Sequence, residues 1–584
     1  MSARAERTAV ALLLLALCAQ LAYGLRADGL TNDEVLYIAA GWRQLALGDY
    51  RLNTTHPPLA PDIAALGLLG LRPRTPDLTA GDDVLAYSWR FLHVENAAGA
   101  LLARARAPVV LLTLLLALLG WAWAREVGGP PAGLLALALL AFHPTLLAHG
   151  HLATTDLPST AGMLGASYAF FRWTRRPRPL AAAAAAVALG LAGAARLTAL
   201  VLLPCFALLA LVRVLRGPRP ERGRALRETA LLALAVALLL PLTLWAAYGF
   251  HDPPVVDPVH TRPGPLAARA LDAAERLHLA PAAYVESVRF QIDHNRRGHL
   301  AYLLGQRSRR GWPTYFLVAL AVKSTPGWLA ALVMAAACGA WGSIREAWGL
   351  GGEAAKRREA PMAARRALPG AHSQTIARDA SLHWLVPALV SFAAVSAGHI
   401  QIGERYLLPV HVYLALWVAV CLAAWLRTGG RLAAIAVAAL LAAHALPALA
   451  VLPRGHLAYF NLLAGGEDGG HRVLLDSNLD WGQDLPRLAR WMRARGVASV
   501  RLAYMGADDP ARFGIAHEDL PGLALAPHAS PPAPLAGTVA VSPNLLFGLA
   551  PSLDETYAPL RGRAPDARAG VFFVYVLPAT PPRP

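Results

Sequence analysis

Long apolar runs separated by polar segments make up most of the chain. About eleven of these runs are long enough to cross the ~30 Å hydrocarbon core of a bilayer as helices. The runs cover residues 8–25, 107–124, 131–149, 157–174, 180–195, 197–215, 229–248, 314–341, 381–398, 405–426 and 431–452. This pattern predicts a mostly α-helical, polytopic membrane protein with about eleven transmembrane helices.

Two of the polar segments between the runs are long. The first, 26–106, contains EVLYIAAGWRQLALG, whose apolar spacing predicts an amphipathic helix in the membrane interface. Asn32 or Asp33 is the expected cap of this helix. The second long loop is 249–313.

The segment after the last apolar run has the pattern of a small soluble α/β domain. DLPRLARWMRARG predicts a helix, and VASVRLAYMG, GTVAVSP and GVFFVYVLP predict strands that are separated by turns rich in proline and glycine. We therefore expect a transmembrane domain over residues 1–453 and a C-terminal α/β domain over residues 454–584.

The composition agrees with a membrane protein. Of 584 residues, 56% are hydrophobic and 16% are charged, and the mean hydropathy is +0.41. The net charge of +17 comes from arginine clusters between the runs and not from a basic patch interleaved with aromatic residues, so we expect no nucleic-acid partner. Cys18, Cys205, Cys338 and Cys421 lie inside apolar runs, which argues against a disulfide framework.

The arginine clusters predict the orientation of the chain. A cytoplasmic N-terminus places all three clusters inside, as the positive-inside bias requires, and places the two long loops and the C-terminal domain outside. The N-terminal segment is then a retained signal-anchor helix rather than a cleaved signal peptide, and we expect the protein in the plasma (inner) membrane. The clusters are Arg172, Arg175, Arg176 and Arg178; Arg213, Arg216, Arg219, Arg222, Arg224 and Arg227; and Arg345, Lys356, Arg357, Arg358, Arg365, Arg366 and Arg378.

Polar residues concentrate at the predicted outer ends of the apolar runs. TNDEV contains the acidic doublet Asp33 and Glu34, and the HPPLA that follows contains His56. Ionisable groups beside membrane helices are costly and usually functional. The alternative interpretation is structural, because acids are stabilised at a helix N-terminus by its dipole and histidines often have structural roles. HPTLLAHGHLATTDLPST adds His149, His151 and Asp156.

Cations also lie within or beside the apolar runs. They are Lys323 in VKSTPGW, Arg196 in ARLTAL, and Arg405 in GERYLLP, where Tyr406 is its neighbour. Cations at membrane depth need an anion, and the phosphate of a lipid carrier at the outer leaflet would satisfy them. Snorkelling and structural ion pairs are the alternatives.

These motifs resemble those of the protein O-mannosyltransferases and related bacterial enzymes of the aminoarabinose transferase type. Asp33 and Glu34 followed by HPPLA are similar to the first outer loop of that superfamily, and Asp156 in TTD looks like its second acidic site. GERYLLP, VKSTPGW and ARLTAL resemble membrane-segment motifs of the bacterial members, and DSNLDWGQDLPRLARW resembles a signature that follows the last span in one bacterial branch. The resemblance covers most of the chain.

The resemblance implies a membrane glycosyltransferase of the type C fold. Such an enzyme transfers a sugar, with inversion, from a polyprenyl-phosphate carrier in the membrane lipids to a protein, lipid or glycan acceptor on the outer face. Asp33 would be the general base, and Glu34 would be a catalytic residue that orients the loop or the acceptor. Arg196 departs from the pattern, because relatives often have lysine there. The implied substrate-binding residues are His56, Asp156, Arg196, Lys323, Arg405 and Tyr406.

The resemblance implies no obligatory cofactor. A divalent metal is the open alternative, with His149, His151 and Asp156 as candidate ligands.

Two further polar stretches are expected to have structural roles and not to contact substrate. In DSNLDWGQDL, we expect the acids to cap the following helix and Trp481 to pack against the membrane domain, in preference to direct substrate contact. In QIDHNRRGH, we expect Asp293, His294 and Arg296 to lie in solvated loop, in preference to the alternative that they line the site. The acids of the first stretch are Asp476, Asp480 and Asp484.

Two other classes of protein also hold charges in apolar surroundings. A transporter or lipid flippase typically has inverted repeats and broken helices at the membrane midplane, and the sequence shows no evident repeat. A membrane-anchored metallohydrolase is a weaker alternative, because the chain has no HExxH or comparably close set of ligands.

Overall fold

The structure is a computed structural model that describes residues 2–79, 82–255, 264–347, 371–523 and 535–578. The described chain is mostly helical, with one strand hairpin and one five-stranded sheet. The principal helices are α1 (Ala3–Ala27), α2 (Asn32–Leu47), α3 (Leu59–Leu66), α4 (Val84–His93), α5 (Ala98–Gly128), α6 (Pro130–Ala141), α7 (Pro144–His149), α8 (Asp156–Arg175), α9 (Pro179–Ala195), α10 (Leu202–Arg216), α11 (Arg222–Ala247), α12 (Pro265–Arg276), α13 (Ala282–Arg297), α14 (Tyr315–Lys323), α15 (Pro326–Ala347), α16 (Ala371–Ser396), α17 (Leu408–Thr428), α18 (Gly430–Ala450), α19 (Leu485–Arg495) and α20 (Asp554–Arg561).

Several helices are long and apolar enough to cross a membrane. Within the described residues there are six, built around α1, α5, α10, α11, α17 and α18, and α14 with α15 makes a seventh only as a pair bent by 115°. The apolar helices α6 and α9 are shorter than these spans. The protein is therefore a multi-pass membrane protein, whereas the number of about eleven spans stays a prediction.

Two of the predicted continuous spans are broken. In the eighth apolar run, α14 ends before Ser324, which is extended, and Pro326 begins α15. In the third run, His143 is extended and Pro144 begins α7. Proline is accommodated in the first turn of a helix but not in its interior, so each proline marks the start of a new helix.

The N-terminus and the ends of several helices gather on one face of the protein. Contacts join the start of α1 to the end of α5, the end of α5 to the end of α8, and the end of α8 to the end of α10. Two of the three arginine clusters therefore share the face of the N-terminus, and the third lies outside the described side chains. The contacts are Glu6 with Arg125 at 2.5 Å, Glu126 with Arg172 at 3.6 Å, and the Arg213 guanidinium 5.2 Å from the Trp173 ring.

The first long loop and the C-terminal segment meet on the opposite face. Backbone N–H groups of Gly29 and Asn32 donate to the carbonyl oxygens of Gln483 and Trp481, at 2.8 and 3.0 Å. The backbone N–H of the intervening Leu30 donates to Oδ2 of Asp508 at 2.8 Å. These bonds hold the start of α2 against the C-terminal segment.

The C-terminal segment contains strands and a helix where the sequence predicts them. The five-stranded sheet is mixed, and its strands lie in the order His517–Asp519, Val500–Ala503, Gly537–Val541, Phe572–Leu577 and Ala567–Ala569. The first three strands are parallel, and the last two pairings are antiparallel. Leu485 and Leu488 of α19 belong to the same hydrophobic core as the membrane helices. The domain boundary at 453 stays a prediction. The strands are β1 (Ala301–Leu303), β2 (Gln306–Ser308), β3 (Val500–Ala503), β4 (His517–Asp519), β5 (Gly537–Val541), β6 (Ala567–Ala569) and β7 (Phe572–Leu577).

Helix α2 begins with a capping box. Thr31, not Asn32 or Asp33, is its N-cap, and the backbone N–H of Thr31 donates to the Glu34 carboxylate at 3.0 Å. Glu34 is fully buried and is bound on both oxygens by Arg106, at 2.8 and 2.6 Å. The backbone N–H of Ala153 donates to Glu34 as well. This carboxylate therefore joins α2 to α5 and to the segment before α8.

The Glu34–Arg106 pair leads to a stability prediction. We expect Glu34→Gln to lower the free energy of unfolding by about 3 kcal/mol or more, because it leaves a buried guanidinium without its counter-charge. Denaturant unfolding in mixed micelles measures this loss. The matched control is Glu6→Gln, whose carboxylate pairs with the half-exposed Arg125, and it should leave the unfolding curve unchanged. Equal losses in the two variants would contradict the structural role of Glu34.

Candidate functional site

A cavity of about 840 Å³ lies between α2, α8, α13 and the turn that precedes α17. One part of its wall is charged and is formed by Asp33, Asp156, Arg196 and Arg405. Another part is apolar. The apolar residues include Met163, Leu197, Val201, Val395, Ile400 and Ile402.

The four charged side chains form a row of alternating sign. Nη1 of Arg405 lies 2.9 Å from Oδ2 of Asp33 and 3.6 Å from Oδ2 of Asp156. Nη1 of Arg196 pairs with the other oxygen of Asp156. The Asp33 side chain is 33% exposed, whereas that of Asp156 is 1% exposed. Asp33 is therefore the carboxylate of this row that a ligand can reach.

Each member of the row stands at the end of a helical segment. Asp33 lies in the first turn of α2, and Asp156 is the first residue of α8. Arg196 follows α9 in an extended conformation, and Arg405 lies in the one-turn 3-10 helix Glu404–Leu407 before α17. Helix ends bring these side chains together without placing a charge in the middle of a span.

Only the first acid of the doublet faces the cavity. Successive residues of an α-helix are rotated by about 100°, so Asp33 and Glu34 point in different directions. The cavity is lined by Asp33, whereas Glu34 is bound to Arg106 beneath the helix. Of the two roles expected for Glu34, orientation of the loop agrees with this buried ion pair, whereas contact with the acceptor is corrected because the carboxylate does not reach the cavity.

Aromatic rings support both guanidinium groups. The Arg405 guanidinium lies 4.0 Å from the ring centroid of Trp481, and that of Arg196 lies 5.0 Å from the ring of Tyr406. A cation over an aromatic face is attracted by the ring quadrupole and loses freedom of orientation. Trp481 of DSNLDWGQDL thus packs against the membrane part, as the sequence predicts.

The acids of DSNLDWGQDL bind protein groups. Asp484 stands at the N-cap position of α19, but its carboxylate pairs with Arg487 and accepts from the backbone N–H of Val571 instead of capping the helix. Asp480 accepts from the hydroxyl of Ser542, and burial raises the pKa of Asp480 to about 7. The predicted helix capping by side chains is therefore wrong for Asp484.

His56 lines the cavity beside Tyr37, whose ring it meets edge-on at 5.8 Å. Burial, with the nearby Arg196 charge, lowers the pKa of His56 to about 3. The imidazole is therefore neutral at neutral pH and offers the cavity a hydrogen-bonding group without charge.

Lys323 does not line the large cavity. Its ammonium donates to the carbonyl oxygens of Leu457 and Asn478, at 2.8 and 2.7 Å. The expectation that Lys323 binds substrate directly is therefore corrected, because backbone carbonyl oxygens of the chain after α18 hold its ammonium away from this cavity.

The candidate metal ligands point to different partners. Nε2 of His151 lies 3.0 Å from Asp28, Asp156 pairs with the two arginines, and His149 lines a separate small cavity. Within the described ranges, no group of three or more histidine, cysteine or acidic side chains is placed to hold a metal ion.

The cavity also includes residues that the sequence analysis did not assign to it. His294 and Asn295 line it from α13, where the sequence predicted a solvated loop. The signal for a helix was present, because Tyr284, Val288 and Ile292 repeat at intervals of four and pack in one hydrophobic cluster.

Comparisons with known proteins give related results by two routes. Residues 89–245 match the family model described as dolichyl-phosphate-mannose-protein mannosyltransferase. The structure of the S. cerevisiae protein O-mannosyltransferase Pmt1-Pmt2 complex matches with a TM-score of 0.54 and 12% identity, over 78% of this chain and 91% of that one. The chain has the protein O-mannosyltransferase fold. This type C fold confirms the resemblance seen in the motifs.

Two other solved structures match nearly the whole chain with lower TM-scores. ArnT from Cupriavidus metallidurans, in the apo state and bound to undecaprenyl phosphate, is 14% identical with TM-scores of 0.42. The matches cover 97% and 98% of this chain and 96% and 98% of the ArnT chains. No curated protein sequence matches the chain. The family-model match includes Asp156 and Arg196, whereas Asp33 and Arg405 lie outside it.

The charged row leads to a second stability prediction. We expect Asp156→Asn to lower the free energy of unfolding by about 3 kcal/mol, because it removes the buried anion that both guanidinium groups share. Asp33→Asn should cost about 1 kcal/mol or less, since that carboxylate is one-third exposed and neutralises only Arg405. Paired denaturant titrations of the two variants measure the difference. A larger loss of unfolding free energy for Asp33→Asn than for Asp156→Asn would contradict these roles, because Asp33 would then be the structural carboxylate.

Proposed function

We propose that the protein transfers a sugar from a polyprenyl-phosphate carrier to a hydroxyl acceptor on the extracytoplasmic face of the plasma membrane. The observation that carries the proposal is the accessible Asp33 carboxylate beside two guanidinium groups on the wall of one large cavity. The protein O-mannosyltransferase fold supports the same activity, and the solved Pmt1-Pmt2 complex is bound to its sugar donor.

Asp33 acts as the general base in this proposal. As the acceptor oxygen attacks the anomeric carbon, its proton passes to the Asp33 carboxylate. The new carbon–oxygen bond forms while the bond from the anomeric carbon to the phosphate oxygen breaks. Attack from the side opposite the phosphate inverts the configuration at that carbon.

The guanidinium groups hold the phosphate and stabilise the charge that it gains. Arg405 and Arg196 use Nη1 in the ion pairs of the row, so other N–H groups of each remain for a second anion. A carrier phosphate linked to both sugar and isoprenoid has a single negative charge, which these remaining N–H groups can bind through charge-assisted hydrogen bonds. A leaving phosphate needs no proton, so one base and a cationic clamp are sufficient.

The apolar wall gives the carrier chain a place beside its phosphate. Met163, Leu197 and Val201 lie on the same cavity as Arg196. The carrier has an apolar isoprenoid and a charged headgroup, and the cavity wall correspondingly has an apolar part and a charged part. His56 and Tyr406 complete the polar part and are proposed donor-binding residues.

The proposal uses no metal ion, because the two guanidinium groups stand where a cation would be needed for the leaving phosphate. It also places the cavity face outside, in accordance with the predicted orientation. Transport remains the alternative activity, but the charged row lies at helix ends on one face of the protein.

The role of Asp33 leads to an activity prediction. Asp33→Asn should lower the transfer rate by about 10²–10⁴-fold, because the amide cannot accept the acceptor proton. The assay follows labelled sugar from polyprenyl-phosphate-linked donors to peptide, glycan and lipid acceptors. Asp83→Asn is the matched control in the same loop, because Asp83 caps α4 through its side chain and asparagine caps equally well. Full activity in Asp33→Asn would remove Asp33 as the base.

The role of Arg196 leads to a binding prediction. Arg196→Gln should weaken undecaprenyl phosphate binding about tenfold or more, because it removes a charge-assisted hydrogen-bond donor. Ligand titration of protein in nanodiscs, with intrinsic fluorescence as readout, measures the affinity. Arg224→Gln, which changes an exposed arginine on the opposite face, should bind as the wild type does. Unchanged affinity in Arg196→Gln would contradict the proposed clamp.

A further inference from the structure

A second, much smaller cavity lies behind Arg405. Its volume is about 10 Å³, and Lys323, Glu404, Arg405 and His149 are among the residues that line it. All four side chains belong to residues that are at most 6% exposed. A cavity of this size holds about one water molecule and nothing larger.

The opposite charges at this cavity are held apart by their other partners. The Lys323 ammonium donates to two backbone carbonyl oxygens. Each oxygen of Glu404 has one partner, the Thr145 hydroxyl at 2.7 Å and Nε2 of His411 at 2.9 Å. Lys323 and Glu404 form no direct ion pair within the described residues, although both face the same space.

Two lining residues each have a nitrogen without a hydrogen-bond partner among the described protein groups. These atoms are Nε of Arg405 and Nδ1 of His149. Nε of arginine is always a donor, whereas Nδ1 of a neutral histidine can accept. Buried polar groups are rarely left unpaired, because the loss of hydration costs free energy that only a partner recovers.

We propose that this cavity binds one buried water molecule that completes the hydrogen bonding of Arg405 and so helps to hold its guanidinium in place. The water accepts from Nε–H of Arg405 and donates to Glu404 and to Nδ1 of His149. It also lies between the Lys323 ammonium and the Glu404 carboxylate and bridges these opposite charges. A single water thereby satisfies both unpaired nitrogens and links two charges that do not touch.

The water makes Lys323, Glu404 and His149 positioning residues for Arg405. The guanidinium then has three constraints: Nη1 to the two aspartates, its face on Trp481, and Nε to the water. The effect on donor binding rests on the proposed function, in which Arg405 holds the carrier phosphate. The water site itself does not.

The direct test is a high-resolution structure of the full chain in nanodiscs, solved in bromide-containing buffer. We expect one density peak in the cavity within hydrogen-bond distance of Nε of Arg405, with no bromide signal. An empty cavity would overturn the proposal. A bromide peak at that position would also overturn it, because the site would then bind an anion.

The coupling test uses Lys323→Met, Glu404→Gln and the double variant, with undecaprenyl phosphate in nanodiscs as probe. Each single change should weaken binding about tenfold, because it leaves one buried charge uncompensated next to Arg405. The double variant should bind undecaprenyl phosphate no less tightly than the single variant that has the lower affinity. If the two fold-losses in affinity multiplied in the double variant, the two charges would act independently, and this result would contradict the proposed water bridge. Glu6→Gln, at the far face, is the unchanged control.

The two tests separate this proposal from the proposed function. Wild-type protein that binds no undecaprenyl phosphate would end the proposed function, while the density in the cavity would still decide the water site. Wild-type binding together with an empty cavity would end the water site alone.

Discussion

The ion pairs of Arg405 hold the candidate site together. One guanidinium group joins Asp33 at the start of α2 to Asp156 at the start of α8, at 2.9 and 3.6 Å, and rests on the ring of Trp481. The first loop, the membrane helices and the C-terminal segment thus meet at a single side chain. A lysine could not replace it, because an ammonium group has neither the planar face nor the fixed fork of donors.

The neighbouring Glu34–Arg106 pair explains why Asp33 is available. Glu34 anchors α2 from below with two charge-assisted hydrogen bonds, so the helix direction is fixed without the help of Asp33. Among the described residues, Arg405 is the ion-pair partner of Asp33, whose side chain stays one-third exposed. Of the two adjacent acids, Glu34 is therefore buried in a structural ion pair, whereas Asp33 remains accessible from the cavity, as the proposed general base must be.

Sequence patterns predicted much of the site because charges beside apolar helices are few and costly. His56, Asp156, Arg196, Arg405 and Tyr406 were each selected on this ground or by resemblance, and all of them line the cavity with Asp33. Other features depend on geometry that a pattern does not contain. Arg106 of α5 holds Glu34 inward, and the chain after α18 supplies the carbonyl oxygens that bind Lys323. Packing also brings His294 of α13 to the cavity, so these three features depend on tertiary contacts.

In the proposed function, the accessible carboxylate and the two guanidinium groups surround the place where a carrier phosphate binds. The most direct measurement is a structure of the protein in nanodiscs with a non-hydrolysable polyprenyl-phosphate sugar. We expect the phosphate between Arg196 and Arg405, the isoprenoid along the apolar wall, and the anomeric carbon facing Asp33. A headgroup bound outside this cavity, or an anomeric carbon turned away from Asp33, would contradict the proposed function.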